Sequence, residues 1–230
     1  MDVITAKDLT VKYGEKVILH DVNVTIPQQS FVAILGENGA GKTTLIKALL
    51  GQNRSITGQL STQARQIGYV PQFRSISRDY PLSIRSFVGL GFNHGWQPWY
   101  RASEKKAITR AIAEVDLTDL ADNRLGLVSG GQKQRAFVAQ ALAQEPDLLI
   151  LDESTASLDA RHSIELVQTI VKLQQEHQMT VLWITHDTSW VKKYADYFLW
   201  VHDQQVTAGP IDQLPATAIS HGQEEEVHNV

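Results

Sequence analysis

The 230-residue chain contains no cysteine, which excludes disulfides and thiolate metal sites and is compatible with a reducing cytosol. It also lacks long hydrophobic runs: runs such as FVAIL and LLIL have the length of a strand, whereas a membrane helix needs about 20 apolar residues. The N-terminus has an early Asp2 and no apolar run, so it is not a secretory signal. The formal net charge of −4 argues against a nucleic-acid partner. If the chain works at a membrane, we expect it to do so through another protein.

What the chain does contain is an alternation of short apolar strands and amphipathic helices. Strands are predicted on both sides of Gly14-Glu15 and at FVAILG, QIGYV, PDLLILDE, MTVLWITH and FLWV. Helices are predicted from Gly41 to Leu50, in SEKKAITRAIAEV with Ser103 as N-cap, from Gly131, in ARHSIELVQTIVKLQQEH and in TSWVKKYADY. The alternation predicts an α/β fold in which helices flank a mostly parallel sheet.

This fold is predicted to occupy residues 1–216 as one domain. Its N-terminal strands form an antiparallel β subdomain. Residues of about 73–145, which begin with a stretch rich in proline, glycine and aromatic side chains, form a helical subdomain inserted into the fold. Residues 217–230 are polar and acidic, which predicts a flexible tail.

The segment GENGAGKTTL follows the strand FVAIL and opens a helix. Its glycines let successive N–H groups turn toward one phosphate, Lys42 can reach the β- and γ-phosphates, and the Thr43 hydroxyl can ligate Mg²⁺. The strand before it and the helix after it favour this interpretation over a plain glycine turn. A P-loop NTPase-type nucleotide site is therefore predicted at Gly36, Glu37, Asn38, Gly39, Ala40, Gly41, Lys42, Thr43 and Thr44.

Two acidic residues follow the buried strand in LLILDE. The carboxyl end of such a strand is where ligands bind in parallel sheets. Asp152 would hold Mg²⁺, directly or through water, and Glu153 would orient and activate the water that attacks the γ-phosphate. These residues predict hydrolysis of ATP or GTP and leave the base open.

A second glycine pair, in VSGGQ, also opens a helix, whose N-terminus is an anion site. The loop at residues 36–43 already surrounds one set of phosphates, so a second site makes sense if it faces a nucleotide held by another copy. Here the chain resembles the ATP-binding-cassette (ABC) ATPase family, whose signature is Leu-Ser-Gly-Gly-Gln. The resemblance implies a head-to-tail dimer in which each copy's signature closes on the ATP held by the other, through Ser129, Gly130, Gly131 and Gln132.

The resemblance extends to about Leu214 and implies further roles. Tyr13 would stack on adenine, which favours ATP as the nucleotide; the alternative is a core tyrosine. Gln72, in YVPQ, would bridge the Mg²⁺ site and the contact with a membrane subunit. His186, in WITHD, would contact the γ-phosphate. Glu153, His186 and Gln72 are thus the implied catalytic residues, and ATP and Mg²⁺ the implied cofactors.

Two departures from the family accompany one more match. Residues 157–159, SLD, match the loop that crosses the dimer interface. Val128 replaces the usual leucine of the signature, which is a small apolar change. Ser154 replaces the proline that usually follows the glutamate, so the turn after Glu153 is expected to be looser, without loss of activity.

Three kinds of work remain open for such an ATPase: membrane transport, DNA repair or chromosome structure, and action on ribosomes. No coiled-coil insertion occurs and the chain has room for one cassette, so transport is favoured. The partners would be a second copy, a separate integral membrane permease and, indirectly, an extracellular metal-binding receptor. The chain itself would lie at the cytoplasmic face of the cell membrane as a peripheral protein. The segments YPLSIRSFVGLG and HGWQPWYRAS are similar to zinc and manganese importers. Zinc is therefore placed ahead of manganese, iron chelates and cobalamin, with a non-transport ABC ATPase as the last alternative.

Histidines outside these motifs are interpreted conservatively. His221 and His228 flank the run EEE at residues 224–226, a combination that suits a weak zinc site. A solvated tail is the favoured interpretation. His94, with Trp96 and Trp99, is interpreted as part of the surface that faces the permease.

Overall fold

The computed structural model describes residues 1–53, 55–71, 76–92, 99–152, 160–185 and 188–218. The chain separates into two compact units. The first comprises Met1–Ala64 together with the chain from Met179 onward, and the second comprises Arg65–Gln178. The predicted phosphate loop therefore belongs to the first unit, and the predicted signature and Asp152 belong to the second.

Strands predominate in the first unit and helices in the second. The described strands are β1 (Asp2–Tyr13), β2 (Lys16–Pro27), β3 (Phe31–Leu35), β4 (Ile56–Thr62), β5 (Ile67–Val70), β6 (Leu148–Asp152), β7 (Thr180–Ile184), β8 (Tyr197–His202) and β9 (Gln205–Pro210). The described α-helices are α1 (Lys42–Leu49), α2 (Ile84–Gly89), α3 (Ala102–Glu114), α4 (Gly130–Leu142), α5 (Ala160–His177) and α6 (Thr188–Tyr194).

The N-terminal sheet of the first unit is antiparallel, with strand order β2-β1-β4. Apolar residues alternate with exposed polar ones along β2, so that Val22, Val24 and Ile26 are buried on one face. Gly14, with a φ of 59°, makes the tight turn between β1 and β2. The predicted antiparallel β portion is confirmed.

A second set of strands in the first unit is mostly parallel. Strand β3 pairs in parallel with β7 and β8, and β9 pairs with β8 in the antiparallel direction. Every residue of β3 and β7 is buried, as is typical of strands covered on both faces. Phe31 packs edge-on against Trp183, with ring centroids 5.8 Å apart. The carboxyl end of β3 leads directly into Gly36, which places the glycine loop where parallel sheets bind ligands.

The second unit combines a parallel strand pair with a helical cluster. Strands β5 and β6 pair in parallel, with Tyr69 opposite Ile150. Helices α2, α3 and α4 pack against one another, and Phe87 lies edge-on to Phe137 at a centroid distance of 4.9 Å. All three helices fall within the predicted insertion at about 73–145. The limits of that insertion and of the domain at 1–216 stay predictions.

The predicted α/β fold class is confirmed, but the predicted start of α3 is wrong. Arg101, rather than Ser103, occupies the N-cap position, and Glu104 reaches back so that its Oε2 accepts a hydrogen bond from the Arg101 N–H at 2.7 Å. A carboxylate at the third helical position commonly makes this contact. Strands β4 and β9 were not predicted. Of the helices described, none combines the length and apolar character needed to cross a bilayer.

Candidate functional site

The predicted phosphate loop holds backbone conformations that side-chain-bearing residues avoid. Gly36, Gly39 and Gly41 have φ angles of 144°, 80° and 106°. A Cβ at Gly36 would collide with the carbonyl oxygen of Val201, and one at Gly41 would lie 3.0 Å from Ile18 Cγ2. Conformation and space therefore both require glycine at position 36, whereas at position 41 it is the backbone conformation that favours glycine.

Lys42 places a buried positive charge beneath this loop. Its side chain is almost fully enclosed, with 6% of the residue exposed. The ammonium group donates hydrogen bonds to the carbonyl oxygens of Gly36 and Glu37, at 2.7 and 2.9 Å. Such bonds offset the cost of taking a charge out of water. The loop is thus folded around its own lysine.

Helix α1 begins without help from a side chain. Gly41 precedes it in a left-handed conformation, and no side-chain hydrogen bond caps the helix. The first turn of an α-helix has no intrahelical acceptors for its N–H groups, so those of Thr43 and Thr44 face the loop. Together with the helix dipole and Lys42, they suit this end to phosphate, and phosphate binding here stays a prediction.

The N-terminus of α4 is, by contrast, closed by its own side chains. Ser129 Oγ accepts a hydrogen bond from the Gln132 N–H at 3.3 Å, and Gln132 Oε1 accepts one from the Ser129 N–H at 2.9 Å. This reciprocal capping box stabilises the helix end and still leaves the first N–H groups, those of Gly130 and Gly131, for an anion. Ser129 and Gly130 are exposed, and a Cβ built on Gly130 would meet nothing within 4 Å.

Asp152 lies at the end of β6 and is 8% exposed. The hydroxyl of Tyr69, on the neighbouring strand β5, donates a hydrogen bond to Asp152 Oδ2 at 2.7 Å. Burial raises the pKa of Tyr69 well above its ordinary value, and the hydrogen bond to Asp152 raises it further. Tyr69 therefore stays a neutral hydrogen-bond donor at physiological pH.

The described oxygen atoms fit the chemistry of Mg²⁺. This ion prefers oxygen ligands, and Thr43 in the first unit and Asp152 in the second each carry such an oxygen. Their joint role at one Mg²⁺ ion stays a prediction. Thr43 is exposed, and Asp152 Oδ1 accepts no hydrogen bond from the part of the chain that the structure describes. Among the described residues, Asp152 thus has Oδ2 bound to the Tyr69 hydroxyl and Oδ1 without a hydrogen-bond partner.

Tyr13 ends β1 and is 81% exposed, so it is not a core residue. An exposed aromatic face suits stacking on a flat base. The contact of Tyr13 with adenine stays a prediction.

Several predicted residues lie outside the described residues. Among them are the implied catalytic residues Gln72, Glu153 and His186. The others are Ser154, the interface loop at residues 157–159, His94 and Trp96 of the permease-facing group, and residues 219–230 of the tail. Trp99 is described and is exposed. The roles given to these residues stay predictions.

Sequence analysis missed two side chains that organise the second unit. Tyr69 was one, and its contact with Asp152 spans 83 positions. Arg135 was the other: it donates to the Val115 carbonyl at 3.2 Å and pairs with Asp116 at 3.1 Å and Glu165 at 3.8 Å. Partners this distant in sequence leave no local signal. The position of Tyr69 on a strand next to LLILDE is the only clue that could have suggested it.

The chain is similar in sequence to known proteins. Residues 19–156, more than half of the chain, match the family model for the ABC transporter. The zinc transport system ATP-binding protein AdcC of Streptococcus pneumoniae is 37% identical over 85% of this chain and 88% of its own length. The petrobactin import ATP-binding protein FpuD of Bacillus anthracis is 33% identical over 88% and 78%. The manganese transport system ATP-binding protein MntB of Bacillus subtilis is 32% identical over 90% and 86%.

A solved structure agrees with the sequence relatives. CbiO1 from Clostridium perfringens, part of the ABC transporter complex cbiONQ, matches with a TM-score of 0.81 at 26% identity, covering 100% of this chain and 96% of its own. The region that matches the family model includes both the glycine loop at residues 36–43 and the SGGQ segment at residues 129–132. The chain belongs to the ABC transporter family and is an ATPase of that family.

Proposed function

We propose that this ATPase energises the import of a divalent transition metal, with zinc as the first candidate, through a separate membrane permease. AdcC, a zinc transport protein, and MntB, a manganese transport protein, support this substrate class. FpuD, a petrobactin import protein, supports an iron chelate as the nearest competitor. Cobalamin import and a cassette that acts outside transport are the remaining alternatives.

The observation that carries the ATP-driven part of the proposal is that one chain presents two helix N-termini suited to anions. The uncapped end of α1 is shaped around phosphates by glycines and Lys42. The end of α4 is capped by Ser129 and Gln132, and a Cβ on Gly130 would meet nothing within 4 Å. A head-to-tail pair of chains uses both ends on one ATP, since the open end of α4 from one copy can cover the phosphates held by the other.

Each predicted residue has a distinct part in this cycle. Lys42 binds the β- and γ-phosphates, Glu153 activates the attacking water, and His186 contacts the γ-phosphate. Asp152, Thr43 and Gln72 hold Mg²⁺, which neutralises charge on the phosphates. ATP closes the pair and hydrolysis opens it. The Gln72 region transmits that motion to the permease at the cytoplasmic face of the membrane.

Metal uptake tests the proposal directly. Zinc, manganese and iron uptake is measured in cells that express the chain with its native permease, either as wild type or as Glu153→Gln. Glu176→Gln is the matched control, because Glu176 pairs with Lys172 on the surface of α5 and the substitution makes the same change in charge. We expect zinc uptake to fall to background with Glu153→Gln and to stay at the wild-type level with Glu176→Gln.

The outcomes separate the parts of the proposal. Loss of manganese or iron uptake instead of zinc uptake would reassign the substrate and keep the transport role. No change in any metal, with purified wild-type protein still hydrolysing ATP, would reject metal import and leave the ATPase intact. Wild-type ATP turnover by purified Glu153→Gln would reject Glu153 as the residue that activates water.

A further inference from the structure

The register of two strands brings Tyr69 and Asp152 to the same face of the β5-β6 pair. Tyr69 is opposite Ile150, and Asp152 follows Ile150 by two positions. Side chains two positions apart in a strand point to the same face, and a diagonal neighbour is within reach of an aromatic side chain. The contact between Tyr69 and Asp152 is therefore built into the sheet.

The hydrogen bond fixes the carboxylate in one orientation. Oδ2 of Asp152 is occupied by the Tyr69 hydroxyl at 2.7 Å, and this is the one hydrogen bond that the described residues make to the carboxylate. Rotation about the last side-chain bond would break it. Oδ1 is consequently held in a single position, where it can serve as a ligand. Tyr69 is 44% exposed, so its side chain is not part of the buried core.

We propose that Tyr69 is a positioning residue that orients Asp152 to bind the metal ion of the nucleotide complex. The inference rests on the proposed role of Asp152 as an Mg²⁺ ligand. Groups that hydrogen-bond to a ligating carboxylate raise metal affinity by about 10–100-fold, because they remove the cost of orienting the ligand. Tyr69→Phe deletes only the hydroxyl and keeps the ring.

Manganese binding provides a measurement that does not depend on turnover. Mn²⁺ replaces Mg²⁺, and its affinity for the protein–ADP complex is measured by electron paramagnetic resonance. The proteins compared are wild type, Tyr69→Phe, Asp152→Asn and Tyr197→Phe, the last being a tyrosine control on β8 in the other unit. We expect Tyr69→Phe to bind Mn²⁺ about tenfold more weakly. Asp152→Asn should bind more weakly still, and Tyr197→Phe should match wild type.

Hydrolysis should show the same division. At saturating ATP, the Mg²⁺ concentration for half-maximal rate should rise about tenfold in Tyr69→Phe, and kcat should recover at high Mg²⁺. A role limited to folding would lower the melting temperature and leave both metal constants unchanged. Wild-type Mn²⁺ affinity in Tyr69→Phe with a loss in Asp152→Asn would reject the role of Tyr69 alone. Wild-type affinity in both would reject Asp152 as a metal ligand as well.

Discussion

At the scale of single residues, Gly36 in the phosphate loop has little freedom to change. Its φ of 144° and the nearby Val201 carbonyl both exclude a side chain. We expect Gly36→Ala to lower the free energy of unfolding by about 1–3 kcal/mol from backbone strain, with the clash adding to this loss. Guanidinium denaturation measures the effect. Gly130→Ala is the control, since its Cβ meets nothing within 4 Å. Equal midpoints for the two variants would contradict the prediction.

At Gln134 the opposite effect is expected: its replacement should make the protein more stable. Gln134 is 1% exposed on α4, and among the residues that the structure describes neither its amide nitrogen nor its amide oxygen has a hydrogen-bond partner. Because an unpaired buried polar group costs about 1–3 kcal/mol, Gln134→Met should raise the midpoint of thermal unfolding. Gln140→Met, on the same helix, should lower it, because Gln140 Nε2 donates to the Phe87 carbonyl at 2.9 Å. A drop in the midpoint for Gln134→Met would show that its amide has an essential partner.

The sequence predicts some of these residues and not others for a physical reason. The loop glycines and Lys42 are adjacent in sequence, so their shared task shows as a local pattern. Tyr69 and Asp152 meet across 83 positions, and only the register of β5 and β6 brings them together. Contacts of that kind depend on the folded sheet, which local patterns do not determine residue by residue.

At the scale of elements, Arg135 joins three helices. It lies on α4, contacts Val115 and Asp116 at the end of α3, and pairs with Glu165 on α5. We expect Arg135→Gln to lower the free energy of unfolding by about 1–2 kcal/mol, since it breaks hydrogen bonds of a largely enclosed charge. Urea denaturation at two salt concentrations measures this effect. A loss abolished by salt would show that the contacts act only as a surface ion pair.

Arg85→Gln is the matched control for that experiment. Arg85 and Asp122 form an exposed pair at 2.8 Å. The hydrogen bond from Arg85 holds the pKa of Asp122 below its ordinary value. Because that pKa is lowered on folding, the pair stabilises the fold above the unfolded-state pKa and loses its effect as the pH falls through the folded-state pKa. We expect a smaller loss than for Arg135→Gln, reduced by salt and absent at low pH.

Predictability also differs among the elements. The buried strands β3, β6 and β7 were predicted because a strand covered on both faces is a continuous apolar run. The sequence of β4, ITGQLST, is largely polar, that of β9, QVTAGP, has Val206 as its one large aliphatic residue, and both strands lie at sheet edges. Backbone pairing, such as Trp200 with Thr207, creates these strands. A polar edge strand therefore becomes evident only when its partner strand is in place.

At the scale of the whole molecule, two copies must share each site if the proposed pairing is correct. A Lys42→Ala chain lacks a working loop, and a Ser129→Arg chain blocks its signature. In the mixed dimer both defects fall in one composite site, and the other site is intact. We expect ATP-driven pairing, measured by analytical ultracentrifugation, to reappear in the mixture although each variant alone shows none. Complete absence of pairing in the mixture would reject composite sites.

The hydrogen bonds from Lys42 to its own loop have a consequence for turnover. Because the ammonium already has the Gly36 and Glu37 carbonyls as acceptors, an arriving phosphate exchanges partners with the loop instead of meeting an unsatisfied charge. The exchange weakens net affinity, and it also means that a departing product leaves behind a lysine that finds acceptors at once. In the proposed cycle, nucleotide release therefore meets a lower barrier than it would if Lys42 were left as a buried charge without acceptors.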